Sequence, residues 1–198
     1  MRPTTRIVLL SALAIVLAHL GDQWAWLHLE QPGVYDHDLG RMLRVVGFLP
    51  IWLLLAVALW LQGGDRRRAL LLGLTPALGG LAAEVLKILL RRERPGLHDG
   101  AYYFRPFSDR FWSTTDIGLP SSHAMVAFSG AWILCRLYPK AWPIWLLLAG
   151  GCALTRLQAH AHFLSDVTVA AVAGYVVVAL VWRRFGAGLK PVIPKERG

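Results

Sequence analysis

The residues best suited to chemistry sit in one polar stretch, Thr155-Arg156-Leu157-Gln158-Ala159-His160-Ala161-His162-Phe163-Leu164-Ser165-Asp166, between two strongly apolar segments. Ionisable side chains at membrane depth are functional suspects first. A helix beginning near His162 would put His162 and Asp166 at i and i+4, on one face. The carboxylate could then accept the proton-bearing ring nitrogen and leave the other nitrogen free, as an oriented nucleophile or base requires. Arg156, six residues before His162, would approach from the other side of a short loop, and its guanidinium suits a bound phosphate.

The apolar flanks must position that stretch. Of 198 residues 56% are hydrophobic, and the mean hydropathy is +0.47, well beyond what a soluble domain of this size needs for its core. The chain reads as an all-α, polytopic membrane protein of one domain, 1–198, with 185–198 expected as a mobile cytoplasmic tail. Windows of about 20 residues give six transmembrane helices: Ile7–Leu27, Met42–Leu61, Ala69–Leu90, Ser121–Tyr138, Ala141–Leu157 and Phe163–Trp182. Met1 to Leu20 also fits a cleaved signal peptide, but the segment stays apolar through Trp24–Leu27 and lacks a clear cleavage site, so it is read as the first span.

The formal charge of +9 is spread over loops rather than gathered in one aromatic-laced patch, which argues against a nucleic-acid partner. Arg2, Arg6, Arg66 to Arg68, Arg136, Lys140, Arg183, Arg184, Lys190, Lys195 and Arg197 fall in alternate loops and both tails, which the positive-inside rule assigns to the cytoplasm. The other side carries Arg41, Arg44, Arg91, Arg92, Arg94, Arg105, Arg110 and Arg156, read as containing an anion site. Cys135 and Cys152 both lie within spans, so a structural disulfide is not expected. Tryptophans at both predicted interfaces, Trp24, Trp26 and Trp112 against Trp60, Trp142 and Trp182, fit aromatic belts.

In the third span Lys87 lies about 27 Å from Ala69 at 1.5 Å per residue, near the outer interface. Glu84, one turn earlier, is read as its i,i+3 ion partner rather than as a catalytic group. The connection from Arg91 to Pro120 carries Tyr102, Tyr103, Phe104, Phe107, Phe111 and Trp112 among charges, a composition suited to the membrane interface. Topology brings three clusters to one side: Lys87 to Pro95, Pro120 to His123, and Arg156 to Asp166. Three cations, two histidines and a carboxylate make an inventory for phosphoryl transfer, and the start of span four adds helix N-terminal N–H groups for the same anion.

With these residues laid out, Lys87-(six residues)-Arg94-Pro95, then Pro120-Ser121-Ser122-His123, then Arg156-(five residues)-His162-(three residues)-Asp166 resembles the three-part signature of the type 2 phosphatidic acid phosphatase superfamily, and the layout is similar to its membrane-bound bacterial lipid phosphatase branch. The resemblance covers about Ala69 to Trp182 by motif. It implies that His162 attacks phosphorus to form a phosphohistidine, that Asp166 orients it, and that His123 protonates the leaving oxygen and then helps activate water. Lys87, Arg94, Ser121 and Arg156 would hold the phosphoryl group, and Ser122 would supply a backbone N–H. Two positions depart from the pattern: Ser122 stands where glycine is usual, and Thr155 where serine is usual.

The expectation is a hydrolase that needs no cofactor or metal and takes a terminal phosphate from a lipid such as undecaprenyl diphosphate, phosphatidylglycerophosphate, phosphatidic acid or lipid A. Its partners would be that substrate and membrane lipids, and its location the bacterial inner membrane with the site facing the periplasm. A lipid-to-lipid phosphotransferase and a non-catalytic binder of anionic lipid stay open as alternatives. A metal reading of His160 and His162 is disfavoured because His-x-His residues on a helix point about 200° apart and no thiolate or second carboxylate cluster joins them. His160 is read as a supporting or interfacial residue.

Overall fold

The computed structural model describes residues 3–63, 65–189 and 192. Seven helices account for most of it: α1 (Pro3–His28), α2 (Asp38–Val45), α3 (Leu49–Leu61), α4 (Arg66–Leu90), α5 (Ser122–Leu137), α6 (Trp142–Gln158) and α7 (Leu164–Phe185). Among the described residues there is no strand, only the isolated bridges Arg92–Phe104 and Glu93–Ile117. Most of the tail expected to be mobile, together with Arg2, Lys190, Lys195 and Arg197, lies outside the described residues.

Helix ends follow from local chemistry. Asp65 caps α4 by accepting the Arg67 N–H at 2.9 Å, which satisfies a donor the helix leaves open. At the other end Arg91 takes a left-handed conformation, φ 55°, and its N–H closes on Lys87 O at 2.9 Å. That turn directs the chain out of the helix and across the site.

Helix α5 is central, packing against α4, α6 and α7, and it is built from small residues, Ala124, Ala127, Gly130 and Ala131. Where helices associate without a hydrophobic driving force, small residues let backbones approach closely. At Gly79 of α4 an added Cβ would come within 2.3 Å of Ser129 Oγ, and at Gly130 within 2.3 Å of the Trp52 ring, so both crossings depend on the missing side chain.

Three helices, α1, α4 and α7, are long and apolar enough to cross a membrane, and a fourth crossing results if α2 and α3 count as one. The predicted second span, Met42–Leu61, is thus broken, with a 66° bend between α2 and α3. Gly47 sits in that bend against His123 O and Cys152 Sγ, where no Cβ fits. Helices α5 and α6, at 16 and 17 residues, reach about 24–26 Å at 1.5 Å per residue, short of a ~30 Å hydrocarbon core. The apolar surface these helices expose, including Leu10, Leu17, Leu54, Leu81 and Leu147, is what a membrane protein presents to lipid.

Candidate active site

Four ends of chain meet at one side of the bundle: the end of α4, the start of α5, the end of α6 and the start of α7. Lys87 is buried to 6% exposure, and its ammonium donates to Glu84 Oε1 at 3.0 Å, the i,i+3 pair expected from sequence. Glu84 also accepts the Ser122 hydroxyl at 2.6 Å. The serine at the glycine position therefore ties the first turn of α5 to α4.

Ser121 caps α5: its hydroxyl accepts the Ala124 N–H at 3.4 Å and its own N–H donates to Asp166 O at 3.3 Å. The N–H groups of Ser122 and His123, at the first two positions of the helix, have no helical acceptor and stay open to an anion. His123 is half-buried, with its backbone carbonyl against Gly47.

Arg156, 6% exposed, donates from Nη1 to the Tyr35 hydroxyl at 2.7 Å, which in turn donates to Thr155 O at 3.0 Å. The Thr155 hydroxyl turns back to Cys152 O at 2.8 Å within its own helix and does not face the site. The Nε atoms of Arg156 and Arg94 are buried and have no hydrogen-bond partner. Lys87, Arg94 and Arg156 stand close enough to repel one another. Three converging cations with unused donors have the charge and hydrogen-bonding capacity that an anion with several oxygens requires.

His162 differs from the expectation in one respect. Helix α7 begins at Leu164, after an extended Phe163 at the N-cap, so His162 precedes the helix instead of sharing a face with Asp166. Its Nδ1 lies 2.9 Å from Gly118 O, and Asp166 Oδ2 is farther, at 3.6 Å. A carbonyl can only accept, so Nδ1 carries the proton and Nε2 keeps its lone pair. Asp166 is fully buried, accepts the Phe163 N–H at 2.8 Å, and stays near enough to stabilise positive charge on the ring. Burial pushes the His162 imidazole down to about 4; Asp166 opposes the shift, while Arg156 and Arg94 add to it.

Sequence reasoning missed four contributors. Arg92, read only as one of the outer basic residues around the anion site, is buried and donates to Asp166 Oδ1 and Ser165 Oγ, both at 2.6 Å. Tyr35 and Arg44 come from the first loop and α2, to which no chemistry was assigned, and the Arg44 guanidinium covers the Tyr35 ring at 4.6 Å. Asp22 lies in the first span. Only an i,i+3 or i,i+4 spacing is visible in a sequence, and the hydrogen bonds of Arg92, Tyr35 and Asp22 into the site reach across 73, 121 and 143 positions.

His160 stacks on Trp26 at 3.7 Å between ring centroids, its Nε2 meets Trp26 O at 3.0 Å, and it stands 3.6 Å from Glu30. It supports the α6–α7 turn, where it takes φ 51°. Among the described residues no three His, Cys, Asp or Glu side chains are grouped to hold a metal ion.

The all-helical bundle gathers two histidines and three cations at one end of its helices. Residues 68–188 match the model of the PAP2 superfamily, and the chain belongs to that family. No curated protein and no solved structure matched it. The family supports a phosphatase-type activity, and the matched region holds every motif residue from Lys87 to Asp166.

Proposed function

We propose that the protein is a multi-pass membrane lipid phosphatase that removes a terminal phosphate through a phosphohistidine at His162. The observation that carries this reading is the hydrogen bond from His162 Nδ1 to Gly118 O, which commits Nε2 to the lone-pair form within reach of Arg94 and Arg156. Nε2 attacks phosphorus and the bond to the lipid oxygen breaks, while His123 gives that oxygen its proton. Water then attacks the phosphohistidine, His123 takes a proton from it, and inorganic phosphate leaves. Lys87, Arg94, Arg156 and the open N–H groups of α5 neutralise the oxygens throughout. All of these groups belong to the protein, so the reaction needs no metal.

A lipid substrate fits the surroundings. An apolar groove of about 530 Å³ runs between α4, α5 and α7 past Leu78, Val85, Met125 and Val177. A second, about 380 Å³, lies between the α2–α3 bend and α5–α6 beside Trp52 and Trp145. In this reading six segments cross a bacterial inner membrane, with α5 and α6 as short crossings and α2–α3 as a bent one. Arg66 to Arg68 then lie in the cytoplasm and the site faces the periplasm. Candidate substrates are undecaprenyl diphosphate, phosphatidylglycerophosphate, phosphatidic acid and lipid A.

Phosphate release by purified protein in detergent, measured on those four lipids, tests the proposal. Vanadate-sensitive, chelator-resistant release from at least one lipid is the expected result. Silence on the whole panel, or activity abolished by EDTA and restored by a divalent ion, overturns it.

A further inference from the structure

Helix α1 lies outside the 68–188 family match, yet it places one ionisable side chain in the protein interior. Its buried stripe is Ala18, Asp22 and Ala25, the i, i+4, i+7 face that meets α7. Asp22 is 3% exposed. A desolvated carboxylate in a span is costly, and apolar residues could make the same packing contact more cheaply. The charge therefore calls for a use.

Its contacts all lead to one place. Asp22 Oδ1 accepts the Ser165 N–H at 2.7 Å, and Oδ2 accepts the hydroxyls of Ser165 and Tyr102, each at 2.5 Å. Ser165 and Asp166 occupy the first turn of α7, so α1 caps α7 from outside the helix. Arg92 lies between two carboxylates: Nη1 is 3.9 Å from Asp22 Oδ2, and Nη2 is 2.6 Å from Asp166 Oδ1. The other oxygen of Asp166 faces His162 Nδ1 at 3.6 Å.

We propose that Asp22 is a positioning residue for His162, acting through Ser165, Arg92 and Asp166. Its cap sets where α7 begins, and hence where Asp166 and the preceding His162 stand. Its charge shares Arg92, so that the guanidinium does not fully neutralise Asp166, and Asp166 keeps negative potential for the ring that becomes cationic on phosphorylation. The first helix is in this sense part of the site. The inference rests on the proposed role of His162.

The test compares wild type with Asp22→Asn, Asp166→Asn and the double variant in detergent, using phosphatidic acid hydrolysis and orthovanadate inhibition. Asp22→Asn should lower kcat by about tenfold with KM little changed, and weaken vanadate, which mimics the transition state, by the same factor. The double variant should be no worse than Asp166→Asn alone, because residues acting in one chain of contacts are not additive. Losses that multiply in the double variant, or a loss confined to thermal stability, would overturn the proposal. A readout without turnover keeps it separate from the phosphatase reading. In ¹⁵N-histidine-labelled protein the His162 Nδ1–H signal should shift or broaden in Asp22→Asn, and an unchanged signal counts against Asp22 even if wild type proves inert. An inert wild type with the expected signal change sinks the phosphatase reading alone.

Discussion

Arg92 and Asp166 form an ion pair at 2.6 Å with side chains 1% and 0% exposed, so neither can be rescued by water when its partner is lost. The Arg92 guanidinium is further enclosed by the rings of Tyr102 at 4.8 Å and Phe163 at 5.0 Å. Arg92→Met should destabilise the protein by roughly 3–5 kcal/mol, the usual result of stranding a buried charge. Adding Asp166→Asn should recover part of that loss. Unfolding by SDS titration in mixed micelles measures both, and an unaffected Arg92→Met would mean that Asp166 is solvated.

His162→Ala should abolish turnover and leave folding largely intact, because the ring's hydrogen bond is to a backbone carbonyl, Gly118 O. Wild type given a ³²P-labelled substrate and quenched in alkaline SDS should carry base-stable, acid-labile phosphate that the variant lacks. Labelled His162→Ala protein would move the nucleophile elsewhere.

The pH profile has a defined sign. kcat/KM reports the free enzyme, in which His162 is pushed down to about 4 by burial from an ordinary value of ~6.5. Its Nε2 is therefore unprotonated throughout the neutral range, and the acid limb due to this group should fall near pH 4. For stability, the unfolded chain takes up this proton first as pH falls. The contribution of neutral His162 is complete above ~6.5 and is lost as pH drops through that value toward the folded one. An acid limb at 6.5 in wild type would show that the ring is not held in the dry, neutral state described above.

His123 can be separated from the phosphate-holding groups by choice of leaving group. An alkoxide needs a proton in the transition state far more than a phosphate leaving group does. His123→Ala should thus lose more efficiency on phosphatidic acid than on undecaprenyl diphosphate, by about tenfold or more within the range of acid–base catalysis. The ratio of kcat/KM values on the two substrates reports this as a free energy. Equal losses would assign His123 to binding or to water activation.

What the sequence determined by itself was the inventory and its side of the bundle. Fifty-six per cent hydrophobic residues, gathered in apolar runs of about 20, leave little but membrane helices. Alternate apolar segments then bring Lys87, Arg94, His123, Arg156 and His162 to one end whatever the packing details. The Glu84–Lys87 pair was legible for the same reason, since an i,i+3 contact is a property of the helix alone. Tertiary structure decided what those groups do to one another. The helix expected to begin near His162 starts at Leu164, where Asp166 and Asp22 cap its first turn at the N–H groups of Phe163 and Ser165. His162 was thereby handed to Gly118 O, a backbone acceptor in a distant loop that no side-chain pattern announces. The partners Asp22, Tyr35 and Arg92 stayed hidden because a desolvated polar group is satisfied by proximity in space, and proximity across 70 or more positions exists only once α1, α4, α6 and α7 have packed.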